Sequence, residues 1–369
     1  MEIDCEPKDE IDVETYENKN NDNNIINPIG LVNFSYEKKE SCFGYYYNYE
    51  METGNICYMN SSIQCLFHLK DFTDNIIKAS ENNNGDLITA TASLINQMKG
   101  FKKNKSDALS VKDIKKAMGE IDERYKDNNQ EDANEFISNY LDGLLDEIGD
   151  KENLPKPLNL NNKFDKEAYD KFYNRFYKAK GDSFLLDLFY SILKTQKVCK
   201  NCNKVISIKF NAYNIFELPI CNFAKKRNDD IDFIEIFKNY LGKNENVDGE
   251  CKYCGKNNIY EQIYIFSLPK YLMFYFGRTI GNKFVSNQII YPNKYDFSKF
   301  LRNSNDNKCS YKNTSIIYYS KLGKKIGHYT ASCLCGKSWY HFNDSVVTKE
   351  ESNENTYQKP IILIYEKII

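Results

Sequence analysis

Two Cys-x-x-Cys pairs constrain this chain more than any other feature. Cys199-Lys200-Asn201-Cys202 and Cys251-Lys252-Tyr253-Cys254 are separated by 48 residues. Thiolates paired at this spacing suit a closed tetrahedral structural zinc, and a site filled by four cysteines leaves no open position for a catalytic water. The stretch between the pairs is longer than in a compact ribbon, so the two knuckles must meet across a hairpin. Four unrelated buried cysteines are the plain alternative, and the doubled spacing argues against it. Structural Zn2+ held by Cys199, Cys202, Cys251 and Cys254 is therefore expected, with no catalytic cofactor.

The knuckles lie in the second of two textures. Apolar Phe136, Ile137, Tyr140, Leu141, Leu144, Leu145 and Ile148 follow the helical period and predict a helix over about 130–148. A helix is also expected from Cys57 to Phe72, broken or restarted around Asp71-Phe72-Thr73-Asp74. Residues 164–177 alternate charge with aromatics and fit either helix or loop. From about Phe184 short β-branched and aromatic runs take over: 205–210, 260–266, 271–276, 315–319, 329–333 and 361–365. Helices first and strands after predict an α+β fold. No internal repeat is visible.

Bulk composition excludes several classes. The 369 residues suffice for one large domain, and 41% hydrophobic content allows a sizeable core. A net charge of −2 offers no basic footprint for nucleic acid. No apolar run approaches the roughly 18 residues that span a bilayer, so no membrane partner is expected. Twelve cysteines would fit a secreted disulfide framework, but the opening Met1-Glu2-Ile3-Asp4-Cys5-Glu6 lacks the basic and apolar parts of a signal peptide. A reducing compartment, cytoplasm or nucleus, is expected. Residues 1–29 are acidic and Asn-rich and predict a disordered tail; a globular domain is expected over 30–369.

Gly54-Asn55-Ile56-Cys57-Tyr58-Met59-Asn60-Ser61 puts a cysteine at a helix start behind a glycine turn. Unpaired N–H groups and the positive dipole end there favour thiolate, the nucleophilic form. For a lone cysteine, a buried structural role is the commoner one, and spacing alone does not overturn it. Only three histidines exist. His68 lies eleven residues beyond Cys57, about 16 Å along a helix, and cannot reach the sulfur. His341 sits between aromatics in a strand and fits the surface. His328, after Gly327, begins a strand and is a good perch for a base.

Residues 54–67 with Phe72 resemble the cysteine box of ubiquitin-specific proteases. His328-Tyr329-Thr330-Ala331-Ser332 followed by Trp339-Tyr340-His341-Phe342-Asn343-Asp344 is similar to the histidine box of that family, and Gln130-Glu131-Asp132-Ala133-Asn134-Glu135-Phe136 to its second signature. Weaker echoes at 216–220, 266–272 and 362–365 extend the likeness over about residues 30–366. The resemblance implies a papain-like fold with helical thumb, β-rich palm and zinc-pinned fingers at about 195–265. It also implies Cys57 as nucleophile, His328 as base and Asn343 as the residue orienting it, with Asp344 supplying charge or ordering a water. Asp132 and Glu135, three apart on one helical face, would meet the arginines of the ubiquitin tail. Gly327 and Tyr329 would line the passage of the terminal glycines, although Ile326-Gly327 replaces the usual glycine pair.

One departure stands out. In the family, Gly-Leu-x-Asn almost directly precedes the cysteine turn, whereas here Gly30-Leu31-Val32-Asn33 and Gly54 are separated by a Tyr-rich insertion, residues 35–53. Read without a gap, Glu52 takes the oxyanion position, and an ionised carboxylate only accepts. With the insertion looped out, Asn33 keeps the role, and that is the expectation. The implied activity is thiol-dependent hydrolysis after the C-terminal glycine of ubiquitin, by a monomer acting on ubiquitin and its conjugates. The alternatives are a ubiquitin-binding pseudoenzyme, a protease for a ubiquitin-like modifier and, disfavoured by the charge balance, a zinc-ribbon nucleic-acid binder.

Overall fold

The computed structural model describes residues 26–33, 55–100, 108–221, 223, 229–242, 245–280, 283–301, 309–321, 327–350 and 358–368. Eight α-helices run through these residues: α1 Cys57–Phe67, α2 Lys70–Ser80, α3 Asp86–Gly100, α4 Lys112–Ile121, α5 Ala133–Ile148, α6 Lys163–Lys180, α7 Phe184–Phe189 and α8 Phe233–Leu241. Among the described residues, no helix is long and apolar enough to cross a membrane.

Side-chain caps set several helix starts. Asp132, Asn162, Ser183 and Asp232 each accept from a backbone N–H of the first turn. α5 therefore begins three residues later than its periodicity suggests, because Asp132 is its cap and not its first turn. The helix expected over 57–72 is two, broken at His68-Leu69. Residues 164–177 are helical within α6, whose aromatic face packs on the fingers sheet; the Tyr169 and Phe210 ring centroids lie 5.5 Å apart. Gly181, at φ 83°, ends α6 in the left-handed region that glycine enters without a Cβ penalty.

The strands are β1 Ser191–Cys199, β2 Val205–Tyr213, β3 Phe216–Pro219, β4 Ile231–Asp232, β5 Glu245–Val247, β6 Ile259–Ser267, β7 Tyr271–Gly277, β8 Thr279–Ile280, β9 Lys283–Phe284, β10 Ile289–Ile290, β11 Lys294–Asp296, β12 Ser310–Lys321, β13 Gly327–Cys335, β14 Ser338–Asn343, β15 Val346–Glu350 and β16 Pro360–Lys367. A four-stranded sheet in the order β2-β1-β6-β5 forms the fingers. An eight-stranded sheet runs β15-β14-β13-β12-β16-β7-β3, with β11 on β12, and β4–β10 and β8–β9 make two small pairs. The segment 195–265 is thus not one unit. β3 leaves it to join the large sheet in parallel with β7, and α8 follows. The reason is aromatic: Phe216, Phe233, Phe237 and Phe274 share one core.

Period-2 alternation gives the large sheet a core on each face. In β16, Ile362 and Ile364 pack with the helical layer, while Leu363 and Tyr365 face α8 and its neighbours. α1 lies between the helices and β13, and every one of its residues is buried. Each fully buried large apolar side chain there contributes roughly 1.5–3 kcal/mol. The packed chain also starts earlier than residue 30, since Ile26 and Ile29 are buried. Residues 1–25 and the insertion 35–53, like Glu52 and Ile326, lie outside the described residues.

Candidate active site

Cys57 is the first residue of α1, capped by Ile56 without a side-chain partner and with no acid in the first turn. The helix end therefore turns the N–H groups of Cys57 and Tyr58 and its positive dipole toward the sulfur. Asn33 is brought to this end from 24 positions upstream in the sequence. Its Oδ1 accepts from Ile56 N–H at 3.3 Å, and its Nδ2 donates to Asp344 Oδ2 at 3.0 Å. One Nδ2 hydrogen remains to point elsewhere.

The segment carrying Asn33 is tied down along its length. Val32 N–H donates to Leu109 O (2.8 Å), Leu109 N–H to Gly30 O (3.0 Å) and Leu31 N–H to Asp344 O (2.9 Å). From α1, Gln64 Nε2 donates to Ile29 O at 2.6 Å, and Asn60 Nδ2 reaches Leu31 O at 3.3 Å and Asp344 Oδ1 at 2.8 Å. A Cβ on Gly30 would stand 2.2 Å from Ser345 O, so only glycine permits this approach. Asp344, at φ 50°, turns its carbonyl and its carboxylate toward the same segment. The turn that β14 and β15 would form anyway is thereby put to use.

His328 enters the site from β13 and is part-exposed. Its Nε2 lies 2.7 Å from Asn343 Oδ1. A carbonyl oxygen only accepts, so Nε2 carries the proton and Nδ1 is left as the basic nitrogen. The Cys57 sulfur faces the backbone N–H groups of Tyr329, Tyr58 and Cys57 itself, each of which favours its thiolate, so the sulfur lies against the strand that carries the imidazole. Among the described residues, no hydrogen bond joins Cys57 to His328 directly.

Cys57 is 2% exposed, and burial pushes its thiol up to about 11. The Tyr329 N–H works against that rise, and the Asp344 charge adds to it. The neutral thiol is thus the favoured form of the free protein at pH 7. Alkylation of Cys57 by iodoacetamide, located by mass spectrometry, is expected to be slow at neutral pH and to climb about tenfold per pH unit, since only the thiolate reacts. A rate already level at pH 8 would show a preformed thiolate and overturn this picture.

The two remaining histidines are placed apart from the sulfur. His68 Nδ1 bonds Gln64 O at 2.8 Å, and its ring lies 5.1 Å from that of Phe342. His341 does not sit at the surface. It is part-buried, 3.0 Å from Ser332 Oγ, and burial lowers its pKa.

The acids of the second signature diverge. Asp132 caps α5 and accepts from Tyr275 Oη at 3.1 Å; burial raises its pKa, while the Asn134 N–H pulls it down. Glu135 is exposed and ion-paired with Arg124. Asp132 is the buried cap and Glu135 an exposed first-turn residue, so the two differ in burial, while the Glu135 charge is still near enough to raise the Asp132 pKa. Tyr329 is buried, its ring 4.9 Å from Tyr319.

Two residues that sequence reasoning left without a role are prominent here. One is Asn60. The other is Gln130, whose side chain bonds both backbone groups of Gly327. Both stand inside the quoted motifs, which is the signal that would have found them.

At the fingers tip, the sulfurs of Cys199, Cys202, Cys251 and Cys254 all lie within 4.8 Å of one another. Cys199–Cys254 and Cys202–Cys251 are 3.6 and 3.7 Å apart. A tetrahedral zinc with sulfur bonds of about 2.3 Å requires sulfurs roughly 3.8 Å apart, so the set fits a bound metal ion.

A family model described as ubiquitin carboxyl-terminal hydrolase matches residues 50–365. Human ubiquitin carboxyl-terminal hydrolase 2 is 26% identical over 336 residues, covering 85% of this chain and 54% of its own length. Ubiquitin carboxyl-terminal hydrolase Usp2 of Drosophila melanogaster is 25% identical, covering 85% of the chain and 34% of the relative. The chain thus spans about half or less of the length of these relatives. Among solved structures, a chain of the SAGA Ubp8/Sgf11/Sus1/Sgf73 DUB module bound to ubiquitin aldehyde superposes with a TM-score of 0.67 at 18% identity, over 92% of this chain and 70% of that one. That likeness carries the fold.

Proposed function

Because the chain belongs to the ubiquitin carboxyl-terminal hydrolase family, we propose that it is a cysteine deubiquitinase that cleaves the peptide or isopeptide bond after the C-terminal glycine of ubiquitin. One observation carries the assignment of residues: β13 presents the His328 ring to Asn343 and the next N–H, that of Tyr329, to the Cys57 sulfur. Substrate entry brings Nδ1 of His328 within reach of the thiol. His328 takes the proton, and the thiolate attacks the glycine carbonyl.

The oxyanion then forms beside the start of α1. The free Nδ2 hydrogen of Asn33 and the first backbone N–H groups stabilise it, one such donor being worth about 3 kcal/mol. Collapse expels the amine, protonated by His328, and leaves an acyl-enzyme. His328 next deprotonates water, which releases the ubiquitin carboxylate and frees Cys57. Asn343 holds the tautomer throughout without adding a charge partner. Asp344 orients Asn33. Gly327, Tyr329, Asp132 and Glu135 border the path proposed for the ubiquitin tail, where Glu135 would exchange Arg124 for a substrate arginine.

The metal at the fingers tip is proposed to be zinc, held by Cys199, Cys202, Cys251 and Cys254. Four sulfur ligands close its coordination, and its chemistry is to hold the two knuckles together. Ubiquitin and its conjugates are the proposed partners of a monomer in cytoplasm or nucleus. Neither nucleic acid nor membrane is proposed as a partner.

The test is ubiquitin carrying a C-terminal electrophile, run beside ubiquitin-like modifiers bearing the same group. A covalent adduct with the ubiquitin probe alone is expected. An adduct only with another modifier would move the substrate assignment. No adduct, with ubiquitin still bound, would make the protein a scaffold.

A further inference from the structure

Gly327 is held from two sides. Below it lies Tyr319: a Cβ at this position would stand 2.1 Å from the Tyr319 hydroxyl. From the other side Gln130 Nε2 donates to Gly327 O at 2.6 Å, and Gly327 N–H donates to Gln130 Oε1 at 3.0 Å. One side-chain amide thereby takes up both backbone groups of the first residue of β13, as a neighbouring strand would. Gly327 is buried, so these groups would otherwise lack water as well as protein partners.

Gln130 is itself anchored. Two residues on, Asp132 is fixed by the Asn134 N–H at 2.8 Å and by Tyr275 Oη. The next residue after Gly327 is His328, whose ring, among the described residues, is hydrogen-bonded at Nε2 by Asn343. The position of Nδ1 therefore depends on where the Gly327–His328 peptide is held. β12 pairs with it on one side, Lys321 against Gly327 and Ser320 against His328. The β14 pairing begins only at Ala331, and Gln130 holds the other side.

We propose that Gln130 is a positioning residue: it acts on the base through the backbone of Gly327 and fixes the entry of His328 into the cleft. The inference rests on the reading of His328 as the base. It ties the start of α5, where Asp132 is the cap and Glu135 lies in the first turn, to the strand that carries the base, across the cleft the substrate tail would occupy.

The test separates positioning from substrate contact and from folding. Steady-state turnover of a ubiquitin C-terminal fluorophore amide is measured for wild type, Gln130→Ala and Gln130→Glu. Ubiquitin affinity is measured by calorimetry in a Cys57→Ala background, with and without Gln130→Ala, and melting temperatures are taken for all. Gln130→Ala is expected to lower kcat about 10- to 100-fold, the scale of a misplaced catalytic group, with KM and Kd unchanged. Gln130→Glu keeps the acceptor for Gly327 N–H but loses the donor to Gly327 O, so its kcat is expected to fall between the two.

An unchanged kcat in Gln130→Ala, or a raised Kd with kcat retained, would overturn the proposal. Should Gln130→Ala fail to fold, Gln130→Glu decides: wild-type turnover in it overturns the proposal. His328→Ala run alongside keeps the two readings distinct, since full turnover in that variant would overturn the base assignment and not the Gln130 contact.

Discussion

Replacing Cys57 with alanine is expected to abolish turnover, a loss of about a millionfold in kcat if the residual rate comes only from binding and the oxyanion site, while ubiquitin still binds. The reasoning is local. The side chain is 2% exposed, and alanine deletes one sulfur without leaving an unpaired charge. The groups left facing the gap are the Tyr329, Tyr58 and Cys57 N–H groups, and one buried donor left unpaired costs roughly 1–3 kcal/mol. The ends of α1 keep their other contacts, so the fold survives. Turnover of a ubiquitin C-terminal fluorophore amide checks the first half, and calorimetric titration with ubiquitin the second. Turnover within about tenfold of wild type would mean that another residue is the nucleophile.

Removal of the metal is expected to open the fingers while sparing the palm. β1 ends at Cys199, and Cys251 and Cys254 fall between β5 and β6, so the four sulfurs close the open end of the sheet. Apparent binding free energies for structural zinc run roughly 10–16 kcal/mol at neutral pH. That exceeds what a four-stranded sheet with half-exposed strands supplies for itself: β2 is buried at only one of its nine residues. Hydrogen exchange should therefore quicken at 191–199, 205–213 and 259–267 after chelation, and β12, β13 and β16 should stay protected. Metal analysis should find roughly one zinc per chain, and Cys251→Ser should reproduce the chelated pattern. Protection of the fingers unchanged by complete metal loss would show that the sheet closes without it.

How much of this was legible in the sequence follows the range of each signal. The doubled Cys-x-x-Cys names its four ligands because each pair is local, and the structure brings their sulfurs together. The strands at 205–210, 271–276 and 361–365 fall inside β2, β7 and β16, since a short run of β-branched and aromatic residues is a local strand signal. Cys57, His328, Asn343 and Asn33 were singled out through resemblance, and their neighbourhood is what the structure adds.

What stayed hidden depends on contacts far apart in the chain. β3 is pulled from the fingers into the large sheet by aromatic residues that no local period connects. α5 starts at Ala133 because Asp132 has a better use as a cap. The acids Asp132 and Glu135 differ in burial for the same reason. The buried place of His341 follows from its pairing with Ser332 across β13 and β14, which local pattern does not encode.

The tethering of residues 29–33 has a consequence for how this site tolerates change. Leu109, Asp344, Asn60 and Gln64 hold that segment, and none of these contacts passes through the chain between Asn33 and Ile56. The proposed oxyanion position is thus held by tertiary contacts, much as two subunits assemble, and the length of the linking chain carries an entropy of closure. That entropy grows with the logarithm of length, about 0.6 kcal/mol for each doubling. A site built this way can lengthen its linker cheaply, so a nineteen-residue excess between the two halves of a signature is compatible with an intact pair of ends.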